Sequence, residues 1–448
     1  MTTKGLTPKG MRDFSPSVMF RRNYISSVVK SAFEKYGFSP IETPAMENLE
    51  TLTGKYGEEG DRLIFKILNS GDFFGKVDQT KKIDSNLLIN QISSKALRYD
   101  LTVPFARYVS QNRNDITFPF KRYQMQNVWR ADRPQKGRFR EFFQCDADII
   151  GSDSLLSEIE IIQLSDEIFT SLGMNNIEIC INNRKVLLGM TEVMGERDRF
   201  NDIVIAIDKL DKIGVNGVID EIKKKGVSMK GVSILNEFLR VKELSDLKEL
   251  LGQSKIGLEG VSELSYVKNN IDSLQLNVSN LKFDISLARG IDYYTGCILE
   301  VKQNDINVGS LAGGGRYDNL TSIFGLQDIS GIGISFGIDR IYMMMEEKKC
   351  FPEYIDQGVE VIILNFGEEE SIYSLKVLEQ LRQKNISCEL YPDKDKIKKQ
   401  MNYANKKRAS FVIMIGEDEI KNGKISIKDM SLGTQSLTTI EMFINQLR

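Results

Sequence analysis

Residues 120–130 read FKRYQMQNVWR and residues 139–150 read FREFFQCDADII, with ADRPQKGR at 131–138 between them. Both flanks are β-type runs, and the segment joining them carries Pro134, Gly137 and a surplus of cations. That pattern predicts an antiparallel hairpin closed by a long basic loop. Upstream, apolar residues recur with helical spacing from Arg21 to Phe33, and Gly37 ends that helix. Phe38 to Pro44 is extended, and its two prolines place it at a sheet edge or an interface. Leu63 to Leu68 reads as a strand and residues 75–95 as a polar loop. Downstream of the hairpin, Ser152 to Leu172 is an amphipathic helix with Gly173 at its end.

Residues 195–275 change character: Lys, Glu and Leu rich, helical in period and poor in proline, they read as a helical insertion. Strand signals return at Leu281–Ser286, Cys297–Lys302 and Val308–Ala312, followed by glycines at 313–315 and at 331, 333 and 337. A new unit begins near Gly358. Its strands at 359–364, 387–391 and 411–415 alternate with helices at 371–384, 394–408 and from about 439, the pattern of a small α/β domain.

Length and composition set the frame. A chain of 448 residues suggests about three domains. Hydrophobic residues make up 41% and charged residues 27%, ordinary values for a globular protein. Sixty Lys and Arg against 62 Asp and Glu leave a net charge of −2, so any nucleic-acid surface must be local. There is no histidine, which excludes Ser-His-Asp and Cys-His nucleophilic sites and HExxH zinc sites. Proton transfer is left to carboxylates, Lys, Tyr or the substrate itself. Five scattered cysteines, with no CxxC pair, argue against a disulfide framework or a zinc site. With no signal-like start and no apolar run near 18 residues, a reducing, cytoplasmic setting without a membrane is expected.

Four segments carry chemistry. In the hairpin, Arg130 and Arg138 flank the loop and Phe142 follows; arginine suits phosphate and an aromatic ring suits a base. A solvated surface hairpin explains those residue types more simply. Leu287 to Gly296 (LARGIDYYTG) suggests a pocket floor with hydroxyl donors, or equally a turn with tyrosines packed in a core. Ala312 to Asp318 (AGGGRYD) permits close backbone approach to a ligand, or is a flexible turn. Gly331 to Arg340 reads as a glycine-rich strand leading into a helix, with Arg340 facing the same cavity or held in a salt bridge.

In this order the four segments are specific. Arg130-Ala131-Asp132 with Arg138 and Phe142 resembles motif 2 of class II aminoacyl-tRNA synthetases, and Gly333 to Arg340 resembles their motif 3. Phe38 to Leu52 resembles motif 1, which in that family builds the dimer interface. Leu287–Gly296 and Ala312–Asp318 are similar to the two signature segments of the histidyl-tRNA synthetase family, as are Leu97–Pro104 and Gly137–Asp148.

The resemblance implies an α+β catalytic domain built on an antiparallel sheet, interrupted by a helical insertion and followed by an α/β anticodon-binding domain. On this chain the catalytic domain would occupy 1–194 and 276–352, the insertion 195–275, and the anticodon-binding domain 353–448. It implies ATP-dependent ligation of L-histidine to tRNA(His) through a histidyl-adenylate, with Mg²⁺ on the β- and γ-phosphates, no metal held by the protein itself, and a homodimer. Arg130 and Arg289 would be catalytic, both at the α-phosphate. Arg138 would hold the γ-phosphate, with Phe142 and Arg340 on either side of the adenine. Asp100, Leu101, Thr102, Gln144, Asp148, Arg289, Tyr293, Tyr294 and Tyr317 would form the histidine pocket, Asp148 and Tyr294 reaching the ring nitrogens. Arg133 and Gln135 would face the tRNA acceptor stem. Between Lys376 and Arg408, ten Lys and Arg against four acids suit phosphate contact. The alternative is a non-catalytic relative, either an ATP phosphoribosyltransferase regulatory subunit or a sensor of uncharged tRNA. Residues 358–448 and the intact Arg130, Arg289 and Arg340 weigh against it.

Overall fold

The computed structural model describes residues 5–75, 77, 85–288, 294–306, 309–356 and 358–447. The chain divides into two compact units, residues 1–350 and 351–448.

The first unit is built on an eight-stranded sheet. In spatial order its strands are Ser39–Pro40, Phe120–Trp129, Glu141–Ile150, Gly331–Gly337, Ala312–Tyr317, Cys297–Gln303, Ile177–Asn183 and Ser279–Phe283. The six inner strands are antiparallel throughout, and each edge strand pairs parallel with its neighbour, which makes the sheet mixed. The expected hairpin is its longest pairing, ten residues against ten, from Phe120 opposite Ile150 to Trp129 opposite Glu141. The proline-bearing segment is indeed an edge strand, Ser39–Pro40.

Helices Pro16–Lys35 and Leu156–Ser171 cover one face of the sheet. There Phe33 and Phe169 both pack on Phe336, with ring centroids 6.0 and 6.2 Å away. Beneath the same helices the Arg316 guanidinium forks onto the buried Glu158 carboxylate, its Nη2 2.6 Å from Oε2, and also bonds Ser330 Oγ. The first helix starts at Pro16, earlier than its apolar spacing indicates, because Ser15 caps it by accepting the Val18 N–H and proline suits a first turn.

Parallel strands need a long crossover. Between Ile177–Asn183 and Ser279–Phe283 that crossover is the helix Arg184–Met194 followed by the helical segment, whose helices are Phe200–Ile207, Leu210–Lys224, Met229–Phe238, Leu244–Leu250 and Lys255–Leu274. Its return is pinned by the buried Asp166 carboxylate, which accepts the backbone N–H groups of Asn277, Val278 and Ser279 at 2.7–3.0 Å.

Three expectations are corrected. Residues Gly57–Leu63 form a helix, and only Lys66–Ile67 is a strand, in a small sheet with Met46–Asn48 and Lys95–Leu97. Within the expected polar loop, Ser85–Ile92 is helical. The triple glycine is no flexible turn: Gly313 to Gly315 lie inside the strand Ala312–Tyr317.

The second unit carries a five-stranded sheet. Cys388–Leu390, Val361–Ile363 and Phe411–Met414 are mutually parallel, and the hairpin Ile425–Asp429 with Gln435–Thr438 extends them antiparallel. Val361 and Ile363 enter one apolar core while Ile362 and Leu364 enter another, so the uninterrupted run VIIL is buried on both faces.

Candidate active site

The sheet face opposite the two covering helices lines a cavity of about 540 Å³. Strand alternation builds its floor in three rows. Arg122, Asp148 and Gly333 share one register position, Gln124, Asp146 and Ser335 the next, and Gln126, Gln144 and Gly337 the third. Phe142 lies one further alternation along the same strand.

Asp148 is almost completely buried. Arg122 Nη2 stands 2.7 Å from its Oδ2, and the Tyr317 hydroxyl donates to its Oδ1 at 2.6 Å. Burial pushes this carboxyl above its ordinary range, against the pull of Arg122 and of the Tyr317 hydroxyl. The glycines around it make room. A Cβ on Gly333 would stand 2.0 Å from Asp148 Oδ1, one on Gly331 would stand 2.6 Å from the Tyr317 ring, and one on Gly315 would strike the Tyr294 ring at 3.0 Å. This steric need explains the glycine-rich strands: tyrosine rings and a carboxylate lie flat against bare backbone.

Asp100 enters from another element. It stands just before the helix Thr102–Gln111, whose apolar face (Val103, Phe105, Ala106, Val109) is anchored in a second core. Its Oδ1 accepts the Val103 N–H at 3.1 Å and the Tyr56 hydroxyl at 2.9 Å. Burial again raises this carboxyl, opposed by those donors and by Arg130.

Arg130 lies where the hairpin strand ends. Its Nε donates to the Tyr99 carbonyl at 3.0 Å, and its guanidinium sits 4.2 Å from the Tyr99 ring centroid and 5.2 Å from that of Phe142. Arg138 donates to Asp132 at 2.8 Å across the loop. Arg340, in the helix Ile338–Lys348 that follows the glycine strand, donates to the Ser310 carbonyl at 2.8 Å and the Gly137 carbonyl at 3.3 Å. Beside it Asp339 receives both Arg12 and Arg22, fixing the N-terminal arm to this rim.

Of the residues singled out from sequence, Asp100, Thr102, Arg130, Arg138, Phe142, Gln144, Asp148, Tyr294, Tyr317 and Arg340 line this one cavity. Leu101 does not: its side chain is fully buried, and its carbonyl faces Arg122 Nη2 at 3.5 Å. Arg133 and Gln135 are exposed on the loop, where Gln135 and Arg138 exchange backbone hydrogen bonds. Arg289 and Tyr293 lie outside the described residues. Among the described residues no group of three or more His, Cys, Asp or Glu side chains is arranged to hold a metal ion.

Sequence reading passed over Arg122, Asp146 and Ser335, and over Asp208 and Lys212, which the helical segment brings to the cavity. The alternation of Arg122, Gln124 and Gln126 along one strand, facing Gln144, Asp146 and Asp148 on the next, was the available signal. A polar stripe inside a long hairpin marks a wet or ligand-binding face.

Comparison with known proteins agrees with this geometry. A histidyl-tRNA synthetase family model matches residues 86–341, and an anticodon binding domain model matches 359–448. The histidine–tRNA ligase of Christiangramia forsetii is 52% identical over 97% of each chain. The crystal structure of histidyl-tRNA synthetase from Nostoc sp. PCC 7120 covers both chains completely at 30% identity, with a TM-score of 0.82. A Bacillus halodurans C structure described as an ATP phosphoribosyltransferase regulatory subunit/histidyl-tRNA synthetase matches 92% of this chain and 98% of its own. Its TM-score is 0.74 and its identity 22%, a likeness of fold alone. With a family model spanning more than half the chain and a relative 52% identical over nearly all of it, the chain belongs to the histidyl-tRNA synthetase family.

Proposed function

We propose that this chain ligates L-histidine to tRNA(His) in two steps. The histidine carboxylate first attacks the α-phosphate of ATP, forming histidyl-adenylate and releasing pyrophosphate. The terminal ribose hydroxyl of the tRNA then takes the histidyl group. One observation carries the reading: an arginine–aromatic group (Arg130, Phe142, Arg340) and a buried carboxylate–tyrosine group (Asp148, Tyr317, Tyr294) open into the same cavity.

Each group has a task suited to its chemistry. Arg130, clamped by the Tyr99 carbonyl, and Arg289 steady the α-phosphate as charge builds on it; neither can lose its proton. Arg138, released from Asp132, takes the γ-phosphate, and Phe142 and Arg340 hold the adenine between them. The β- and γ-phosphates would carry Mg²⁺, which supplies charge compensation there. Because phosphoryl transfer demands little covalent chemistry from the protein, placing the carboxylate in line is most of the work.

Asp148 and Tyr294 read the imidazole, with Tyr293 and Tyr317 along its sides. Arg122 and Tyr317 hold the Asp148 carboxylate in place before substrate arrives. An amino acid lacking a ring N–H leaves that buried carboxylate poorly paired, which penalises the wrong substrate. Asp100, Thr102 and Gln144 serve the α-amino end, and Leu101 supports them from the core. Arg133 and Gln135, exposed on the loop, meet the acceptor stem, and the second unit, with its Lys- and Arg-rich stretch at 376–408, meets the anticodon. The division at 1–194, 195–275, 276–352 and 353–448 assigns these tasks to catalytic, insertion and anticodon-binding parts. The chain acts as a homodimer through the region around its Ser39–Pro40 edge strand, in the cytoplasm. Among the described residues no helix is long and apolar enough to cross a membrane.

Charging of a tRNA(His) transcript with labelled histidine tests this. The full chain should charge it, and Arg130→Ala should slow charging by at least about 100-fold. A folded protein that binds histidine and ATP but charges nothing would return the non-catalytic alternative to the front.

A further inference from the structure

The middle row of the cavity floor has no task in the account above, yet it holds a carboxylate that the Ser335 hydroxyl bonds and that still has one oxygen without a partner. Asp146 is 3% exposed and lines the cavity. Its Oδ1 is buried without a hydrogen-bond partner, and the Gln144 Oε1 two residues away on the same strand face is in the same condition. The other half of the Gln144 amide is already committed: its Nε2 donates to Ser335 Oγ at 2.7 Å, which fixes the orientation of the oxygen. The two neighbouring carboxylates differ. Both oxygens of Asp148 are engaged, by Arg122 and Tyr317, and Asp100 Oδ1 already accepts two donors. A native interior rarely leaves two acceptor oxygens unpaired side by side unless something else fills the place.

The charges say what. Asp100, Asp146 and Asp148 face one another, and Arg122 is the cation in contact with the set, with Arg130 acting on Asp100 from the far side. Burial pushes the Asp146 carboxyl up to about 7, opposed first by Arg122 and raised further by Asp148. At this row two acceptor oxygens are therefore unmatched, while one row away Arg122 Nε and Nη1 are buried donors without a hydrogen-bond partner. A strand advances about 3.4 Å per residue, so Asp146 lies roughly 7 Å from Asp148, about the span of an amino acid with its side chain.

We propose that Asp146 binds the substrate: its Oδ1, together with Gln144 Oε1, accepts hydrogen bonds from the α-ammonium group of the amino acid. The ring then reaches toward Asp148, and the carboxylate is left pointing to Arg130. This rests on histidine being the amino acid bound. Asp146 thus adds a second carboxylate to an ammonium subsite in which Asp100 supplies the first and Thr102 and Gln144 supply neutral oxygens.

The test compares two ligands on two proteins by calorimetry at pH 8: L-histidine, and 3-(imidazol-4-yl)propionate, which has the same ring and carboxylate but no amino group. Asp146→Asn keeps the shape and removes the charge. It should weaken L-histidine by roughly 10- to 100-fold, the range of a buried charge-assisted hydrogen bond, and leave the deamino compound within about 2-fold. Asp146→Ser should show the same selective loss, should the Asn variant fail to fold. Equal weakening of both ligands, or no weakening of histidine, overturns the assignment. Failure of the unmodified chain to bind histidine at all would instead refute the substrate reading on which it rests.

Discussion

A binding carboxylate held in a site with too little positive charge should cost the empty protein stability, and Asp146 allows that cost to be worked out. Its carboxyl titrates near 7 in the folded chain against an ordinary value of 3.8. Below about pH 4 it is protonated in both folded and unfolded states and contributes nothing. Between 4 and 7 the unfolded chain releases a proton that the folded chain retains, so stability falls as pH rises. Above 7 both states are ionised and the penalty is constant. At 1.36 kcal/mol per pH unit the ceiling is about 4 kcal/mol. Local relaxation in an interior that behaves as a medium of effective dielectric about 20 leaves about 2 kcal/mol. Asparagine at this position carries no proton to lose, and its amide can donate to the unpaired Gln124 Oε1 alongside. Asp146→Asn, without ligand, should therefore unfold at about the same temperature as the parent at pH 4.5 and about 3 °C higher at pH 8, the shift expected for a unit of 350 residues. Saturating histidine at pH 8 should shrink the difference by stabilising the parent more. Thermal melts followed by fluorescence of Trp129, which lies at the hairpin end, would show this. A variant less stable than the parent at both pH values, or a gap that does not grow with pH, would refute the reasoning.

Three further outcomes are expected. Gly333→Ala sets a methyl group against Asp148 Oδ1, where the free space is only 2.0 Å. The KM for histidine should rise at least about 10-fold in pyrophosphate exchange while that for ATP holds; a parallel rise in both would contradict the local explanation. Arg122→Met removes the cation buried against Asp148 and should cost about 3–5 kcal/mol in urea unfolding, so an unchanged midpoint would mean the pair is not formed. Arg289→Ala should cut pyrophosphate exchange by at least about 100-fold; a near-normal rate would remove that residue from the α-phosphate.

The sequence disclosed the scaffold better than the floor of the site. The hairpin was legible almost to the residue, because two β-type runs around a Pro- and Gly-bearing loop leave few alternatives. The terminal α/β unit was equally plain from alternation, although its last hairpin went unseen. The turn there is set by Asp429, whose side chain accepts the N–H groups of Ser431 and Leu432, a local signal with no hydrophobic period. At Gly313 to Gly315 the turn alternative failed for a physical reason: three glycines look like a turn until their neighbours are known, and here a Cβ on Gly314 would strike the Gly333 carbonyl and one on Gly315 the Cys297 carbonyl and the Tyr294 ring. Arg122 and Asp146 were passed over because their meaning lies in register. Arg122 matches no motif, Asp146 lies within the family-like segment Gly137–Asp148 without a role of its own, and only the pairing of Arg122 with Asp148, and of Gln124 and Ser335 with Asp146, shows that a polar stripe lies under a cavity.

The central claim is that this single cavity activates histidine with ATP, and ATP–pyrophosphate exchange measures that step alone. The purified chain, assayed with each of the twenty amino acids in turn, should exchange with L-histidine and stay at background with the rest, and Asp148→Asn should abolish the histidine signal. Exchange with another amino acid, or full exchange in the Asp148→Asn variant, would contradict the account.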